Sequence, residues 1–123
     1  MPERKQLDSF IGSMFRSVWA LELLKYLAEN PGTYHTNDEL IAVLRASEAV
    51  VSQSVQNLSA AGLAVVDDGG RVAYHAGAGE SVSLVEAAIA LYAGSPDKVR
   101  RLIVAQRAPG VAAFADAFRL RKD

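Results

Sequence analysis

Side chains that could support catalysis or bind a metal are few in this chain of 123 residues. The two histidines, His35 and His75, fall in a predicted loop and a predicted hairpin, where we interpret both as exposed polar residues. Together with Asp38 or Glu39 they have the donor atoms for a metal site, but we expect no bound metal. The chain has no cysteine, which excludes a disulfide framework, a thiolate zinc site and a cysteine nucleophile.

Two further motifs favour local structure over chemistry. The paired carboxylates Asp67-Asp68 occur in a predicted turn, where aspartate is favoured because it hydrogen-bonds to nearby backbone. The stretch Gly77-Ala78-Gly79 has neither the lysine nor the spacing of a phosphate-binding loop, so we interpret it as a linker. We therefore expect a protein that is not an enzyme and that carries no cofactor.

The formal net charge of −1 at pH 7 conceals an uneven distribution. Residues 31–70 contain five acidic side chains against Arg45 alone, whereas residues 95–123 contain seven basic side chains against three acidic ones. Any function has to accommodate an acidic centre followed by a basic C-terminal region.

The composition is that of one globular domain, predicted over residues 1–123, since half of the residues are hydrophobic and 22% are charged. An apolar stretch near the N terminus is interrupted by Arg16, Glu22 and Lys25. It therefore lacks the continuous apolar run of a signal peptide or a membrane span. We expect a soluble, cytoplasmic protein.

A helical pattern predicts a first helix over residues 8–30, ending at Asn30-Pro31-Gly32 because proline cannot continue the hydrogen-bond ladder. Its apolar residues occupy more than one face, although a surface helix of a monomer needs only one apolar stripe. This surplus, with the apolar residues Phe114, Phe118 and Leu120 near the C terminus, predicts a homodimer.

The spacing of residues 36–62 predicts two helices joined by a tight turn. Thr36-Asn37-Asp38-Glu39 is a capping box, in which the threonine hydroxyl accepts from the glutamate amide and the glutamate side chain reaches back. Ser47 is the predicted cap of the second helix. Gly62 stands where a left-handed residue ends a helix, and Leu63 can fold back on that end.

Two short apolar runs around a turn of aspartates and glycines predict a hairpin over residues 63–75. The C-terminal helices are predicted over residues 81–122. The first of them is closed by Gly94, the second begins with Pro96, and a last amphipathic segment covers Val111 to Arg121.

These elements in this order predict a mainly α fold, a winged helix-turn-helix with a two-stranded wing and additional C-terminal helices. The segment with the sequence ASEAVVSQSVQNLSAAGL, residues 46–63, resembles the recognition helix of bacterial winged-helix transcriptional regulators such as the MarR family. The resemblance extends over the recognition-helix and wing region and is loose in the flanking segments.

The resemblance implies a transcriptional regulator that binds double-stranded DNA as a homodimer, with the second helix in the major groove. Glutamine and asparagine can pair bidentately with adenine, and serine can contact bases or phosphates. An arginine of the wing would contact a phosphate or the minor groove. The DNA-binding residues implied in this way are Thr36, Ser47, Ser52, Gln53, Gln56, Asn57 and Arg71.

The charges of the same segment favour an alternative. Residues 46–70 contain no lysine or arginine, whereas the family commonly has basic residues at positions matching Gln53 and the pair Ala60-Ala61. Phosphate neutralisation needs such cations, and Glu48 near the start of the helix would repel a phosphate. The alternative is a winged-helix adaptor that binds a protein partner and not DNA. A DNA-binding protein would compensate through a second copy or through its basic C-terminal region.

Overall fold

The computed structural model describes residues 3–75 and 80–107 of the chain. This part is mainly helical and contains one small antiparallel sheet, which confirms the coarse fold class. The elements, in chain order, are α1 (Arg4–Met14), α2 (Val18–Glu29), α3 (Asn37–Leu44), α4 (Glu48–Ala60), β1 (Ala64–Val66), β2 (Val72–Tyr74), α5 (Glu80–Gly94) and α6 (Pro96–Arg107).

The single helix predicted over residues 8–30 is wrong, because the chain breaks it into α1 and α2 at residues 15–17, which we call the α1–α2 break. Phe15 adopts an extended conformation (φ −107°, ψ 118°) and its ring is fully buried, 6.0 Å from the ring of Phe10 in an edge-to-face contact. Ser17 then starts α2, since its side chain accepts a hydrogen bond from the Ala20 amide. Burial of Phe15 and the new cap therefore override a continuous helical pattern.

The two helices have different neighbours. α1 packs against α5 and α6, whereas α2 packs mainly against α3, α4 and β2. Both groups share one continuous core, in which Ile11, Leu21, Val85 and Ile103 are almost fully buried, each side chain contributing about 1.5–3 kcal/mol by leaving water. The wide apolar coverage that suggested a second copy is thus largely used inside the chain, and it no longer argues for a dimer.

α3 and α4 begin and end as the sequence predicts. The hydroxyl of Thr36 caps α3 and the hydroxyl of Ser47 caps α4. Between the helices, Arg45 adopts the left-handed conformation (φ 54°), which turns the chain tightly. After α4, Gly62 is left-handed (φ 78°) and the Leu63 amide donates to the Leu58 carbonyl at 2.8 Å. The predicted glycine end of α4 is therefore confirmed.

The predicted hairpin is also confirmed, with slightly shorter strands. β1 and β2 are antiparallel, with Ala64 opposite Tyr74 and Val66 opposite Val72. On the other edge of β2, His35 and Val72 exchange two backbone hydrogen bonds of 2.8 Å. This bridge attaches the hairpin to the segment that leads into α3.

α5 and α6 confirm the predicted helices on either side of Gly94, with Pro96 as the first residue of α6. The linker at residues 76–79 and the last predicted segment at residues 108–122 lie outside the described residues. Among the helices that are described, none is long and apolar enough to cross a membrane.

Candidate nucleic-acid interface

One side of α4 is polar and exposed. Ser52, Gln53 and Gln56 are exposed on this side, and we call them the α4 face. On the opposite side, Val51 and Leu58 are fully buried in the core. The two glutamine amides each offer donors and an acceptor, and the core contacts hold the helix that carries them.

Thr36 and Ser47 are both exposed, at the N-terminal ends of α3 and α4. The Thr36 hydroxyl accepts from the Glu39 amide at 3.1 Å, and the Ser47 hydroxyl accepts from the Val50 amide at 3.2 Å. Because each hydroxyl acts here only as an acceptor, its own hydrogen can still be donated to an external group. Both residues are helix caps that remain accessible.

Asn57 is not part of the α4 face, although the sequence placed it among the base-reading residues. It is only 9% exposed, and its Oδ1 accepts from the Arg16 amide at 2.7 Å. Its Nδ2 donates to the Met14 carbonyl, also at 2.7 Å. Both polar atoms of the side chain are used within the chain, and the amide closes the α1–α2 break instead of being presented with the α4 face. The sequence did carry a signal, because Asn57 follows Ser54 by three residues and precedes Leu58, which places it at the margin of the buried side of α4.

Arg16 was not among the predicted site residues, yet it lies beside the α4 face. A cleft of about 550 Å³ is lined by Arg16, Ser17, Gln53, Gln56, Asn57 and Ala60. Within residues 3–75 and 80–107, the guanidinium of Arg16 forms no ion pair with a carboxylate. The sequence reasoning missed this residue because one continuous helix gave no reason to bring residue 16 to α4. The available sequence signal was Ser17, directly after Arg16, because a serine there can cap the start of a new helix.

Arg71 lies in the hairpin, and its charge is locally compensated. Its Nε donates to Asp67 Oδ2 at 2.9 Å, while Asp67 Oδ1 accepts from the amides of Arg71 (2.8 Å) and Gly69 (3.0 Å). The pKa of Asp67 is lowered, mainly by the hydrogen bond from the Arg71 amide. The nearby guanidinium and the bond from the Gly69 amide lower it further. The guanidinium also lies 5.9 Å from the centre of the Tyr34 ring.

A cluster of three polar side chains joins α2, α3 and the segment that bridges to the hairpin. Glu39 Oε2 accepts from the Tyr26 hydroxyl at 2.7 Å and lies 2.6 Å from Nδ1 of His35. The pKa of Glu39 is lowered, mainly by the hydrogen bond from Tyr26 and next by that from His35. The bond between Tyr26 and Glu39 also raises the pKa of Tyr26. The cluster fixes the start of α3 relative to the sheet.

This cluster corrects two predictions from the sequence. Glu39 does not reach back to complete the capping box with Thr36, since its carboxylate is used by Tyr26 and His35. His35 is not an exposed loop residue, because its backbone pairs with Val72 and only 2% of it is exposed. His75 is exposed as predicted, with Nδ1 at 2.9 Å from the Gly62 carbonyl. Among the described residues, no three histidine or acidic side chains gather to hold a metal ion.

Comparisons with models of protein families, with curated proteins and with solved structures find no match for this chain.

Proposed function

We propose that this chain is a winged helix-turn-helix regulator of transcription in a bacterial cytoplasm, and that it binds double-stranded DNA as a homodimer. In this proposal α3 and α4 form the helix-turn-helix, and the hairpin forms the wing. The observation that carries it is the α4 face, an uncharged polar surface on a helix that is capped at its start and anchored in the core on its other side.

The chemistry of the α4 face suits base edges better than phosphates. Gln53 and Gln56 can each donate and accept in one plane, which matches the exposed edge of adenine in the major groove. Ser52 can pair with several bases. Arg16, which lines the cleft beside this face, and Arg71 of the hairpin are the cations that we propose for contact with the DNA backbone.

We propose that the contact with the second copy lies in the groove between α1 and α5. This groove of about 650 Å³ is mainly apolar and is lined by Arg4, Leu7, Ser83, Glu86, Ala87, Ala90 and Leu91. Because Arg4 and Glu86 both line it, a two-fold axis that passes between them would bring each of them beside the opposite charge of the other copy. Light scattering at tens of micromolar should report a dimer, and a monomer there would remove this part of the proposal.

The test of DNA binding starts with selection of duplexes from a random pool on immobilised protein, because the operator sequence is unknown. Fluorescence polarisation then compares the selected duplex with a random one. We expect Gln53→Ala and Gln56→Ala each to weaken binding to the selected duplex by roughly tenfold or more and to leave random binding almost unchanged. Ser9→Ala, an exposed truncation on α1, is the control and should change neither.

A specific observation supports the adaptor as a second candidate. Tyr34, Val65 and Val66, on or beside the sheet, are large apolar side chains that are 45%, 37% and 46% exposed. Together with the compensated charge of Arg71, these exposed apolar side chains suit a protein partner. If the selection enriches no duplex above random DNA, and Gln53→Ala and Gln56→Ala bind DNA as the wild type does, the adaptor replaces the regulator as our proposal.

A further inference from the structure

The acidic middle of the chain, residues 31–70, has Arg45 as its one basic residue, yet the folded α4 face adjoins a positive charge supplied by the N-terminal region. Arg16 enters the cleft beside Gln53 and Gln56 from the α1–α2 break. We propose that this cleft binds a phosphate group of the DNA backbone, with Arg16 as the main contact. This inference rests on the proposed function, since it names how the same surface holds DNA.

The charge of the cleft favours an anion. Arg16 is the one charged residue among the described residues that line it, and no described carboxylate pairs with its guanidinium. A second donor at its wall is the hydroxyl of Ser17, which accepts from the Ala20 amide and keeps its own hydrogen for a phosphate oxygen.

The backbone at Arg16 is also held in position before any ligand arrives. Asn57 lies on α4 and binds the main-chain amide of Arg16 at 2.7 Å. The same helix therefore carries the base-reading glutamines and holds the segment that provides the phosphate contact. A fixed spacing between the glutamines and the phosphate contact would set the register of α4 in the major groove, because phosphate contacts orient a protein on the duplex. Asn57 is in this account a positioning residue.

The experiment measures the salt dependence of binding to the selected duplex and to a random duplex, for the wild type, Arg16→Gln, Arg16→Lys and Lys5→Gln. Arg16→Gln leaves the hydrogen bond between its main-chain amide and Asn57 intact, so the variant should fold. We expect it to weaken binding to both duplexes by a similar factor of about 3 to 10. The slope of log K against log salt should fall by about one for each protomer on the DNA.

Two variants distinguish the loss of a phosphate contact from a general loss of DNA binding. Arg16→Lys keeps the charge, so the salt slope should be restored. Lys5→Gln removes the same charge from an exposed position on α1 and should leave affinity and slope unchanged. A slope that is the same in Arg16→Gln and the wild type would overturn the inference.

The failure of the proposed function gives a different result. If the selected duplex binds no better than random DNA, the regulator proposal fails, while the slope on random DNA still decides the role of Arg16. Side-chain signals of Arg16, Gln53 and Gln56 in nuclear magnetic resonance decide the case in which no duplex binds. If inorganic phosphate shifts them and duplex DNA does not, the cleft binds a free phosphate and the DNA assignment is wrong. If neither ligand shifts them, the cleft is not a phosphate site.

Discussion

The hairpin turn and the α1–α2 break solve the same structural problem with different side chains. In the hairpin, Asp67 closes the turn by accepting hydrogen bonds from the amides of Gly69 and Arg71. At the break, Asn57 joins two helices by binding the carbonyl of Met14 and the amide of Arg16. In both places one polar side chain satisfies backbone groups that no regular element can serve.

The difference between them lies in the charge that the closing group leaves behind. The carboxylate of Asp67 also binds the guanidinium of Arg71, so the hairpin arginine is compensated where it stands. The amide of Asn57 is neutral and binds the main-chain amide of Arg16, so it does not compensate the charge of the Arg16 guanidinium. Arg71, which was predicted from the sequence, is thus partly neutralised. Arg16, which was not predicted, is available to contact a ligand.

The largest expected effect comes from removing the link at the break. Asn57→Ala leaves the Met14 carbonyl and the Arg16 amide without their partner, and each such loss costs about 1–3 kcal/mol. We therefore expect the free energy of unfolding in urea to fall by about 2–4 kcal/mol. Ser52→Ala on the exposed side of α4 is the control and should stay within about 0.5 kcal/mol of the wild type.

The companion variant Asn57→Asp would make the break resemble the hairpin turn. The carboxylate can still accept from the Arg16 amide, but it cannot donate to the Met14 carbonyl and it brings a negative charge beside Arg16. We expect lower stability and weaker DNA binding together. An Asn57→Ala variant as stable as the wild type would show that the break does not depend on this side chain.

The features that the sequence predicted are those fixed by neighbours along the chain. The caps at Thr36 and Ser47, the left-handed Gly62 and the hairpin turn each depend on a few consecutive residues, and each was found where expected. Local hydrogen bonding and backbone freedom decide such positions, so a short motif is enough.

The features that the sequence did not predict depend on contacts between distant segments. Asn57 and Arg16 meet only because α2 packs on α4, and nothing in the amide of an asparagine indicates whether it will face water or backbone. His35 became buried because its backbone pairs with Val72 of the hairpin. Phe15 fits a helical pattern equally well, and only the packed core shows that it ends one helix.

A smaller effect should follow from neutralising the closing group of the hairpin. Asp67→Asn keeps an oxygen that can accept from the amides of Gly69 and Arg71, but it removes the charge that compensates Arg71. If the wing lies near phosphates, DNA affinity at low salt should rise about threefold to tenfold, and the salt slope should increase by about one for each protomer. Asp68→Asn, an exposed neighbour, removes the same charge without freeing a paired arginine.

The control separates two explanations of that gain. General relief of repulsion between the acidic hairpin and DNA would raise affinity equally in Asp67→Asn and Asp68→Asn. A larger gain for Asp67→Asn, lost again in the double variant with Arg71→Gln, is the result we expect from a freed guanidinium. Equal gains would mean that Arg71 does not approach the backbone.

The smallest expected effect is a difference in how the two closures respond to acid. The pKa of Asp67 is lowered by the hydrogen bond from the Arg71 amide and by the Arg71 guanidinium, so its ionised form stabilises the hairpin. That contribution is fully present above the ordinary aspartate pKa of about 4, and it is lost as the pH falls through the lower pKa of the folded protein. Asn57 has no proton to gain. Backbone amide signals of Gly69 and Arg71 should therefore shift with acid while the Arg16 amide stays constant, and Asp67→Asn should abolish the shift. An Arg16 amide that titrates together with the hairpin would mean that the two regions are coupled, and that the contrast between their charges is not local.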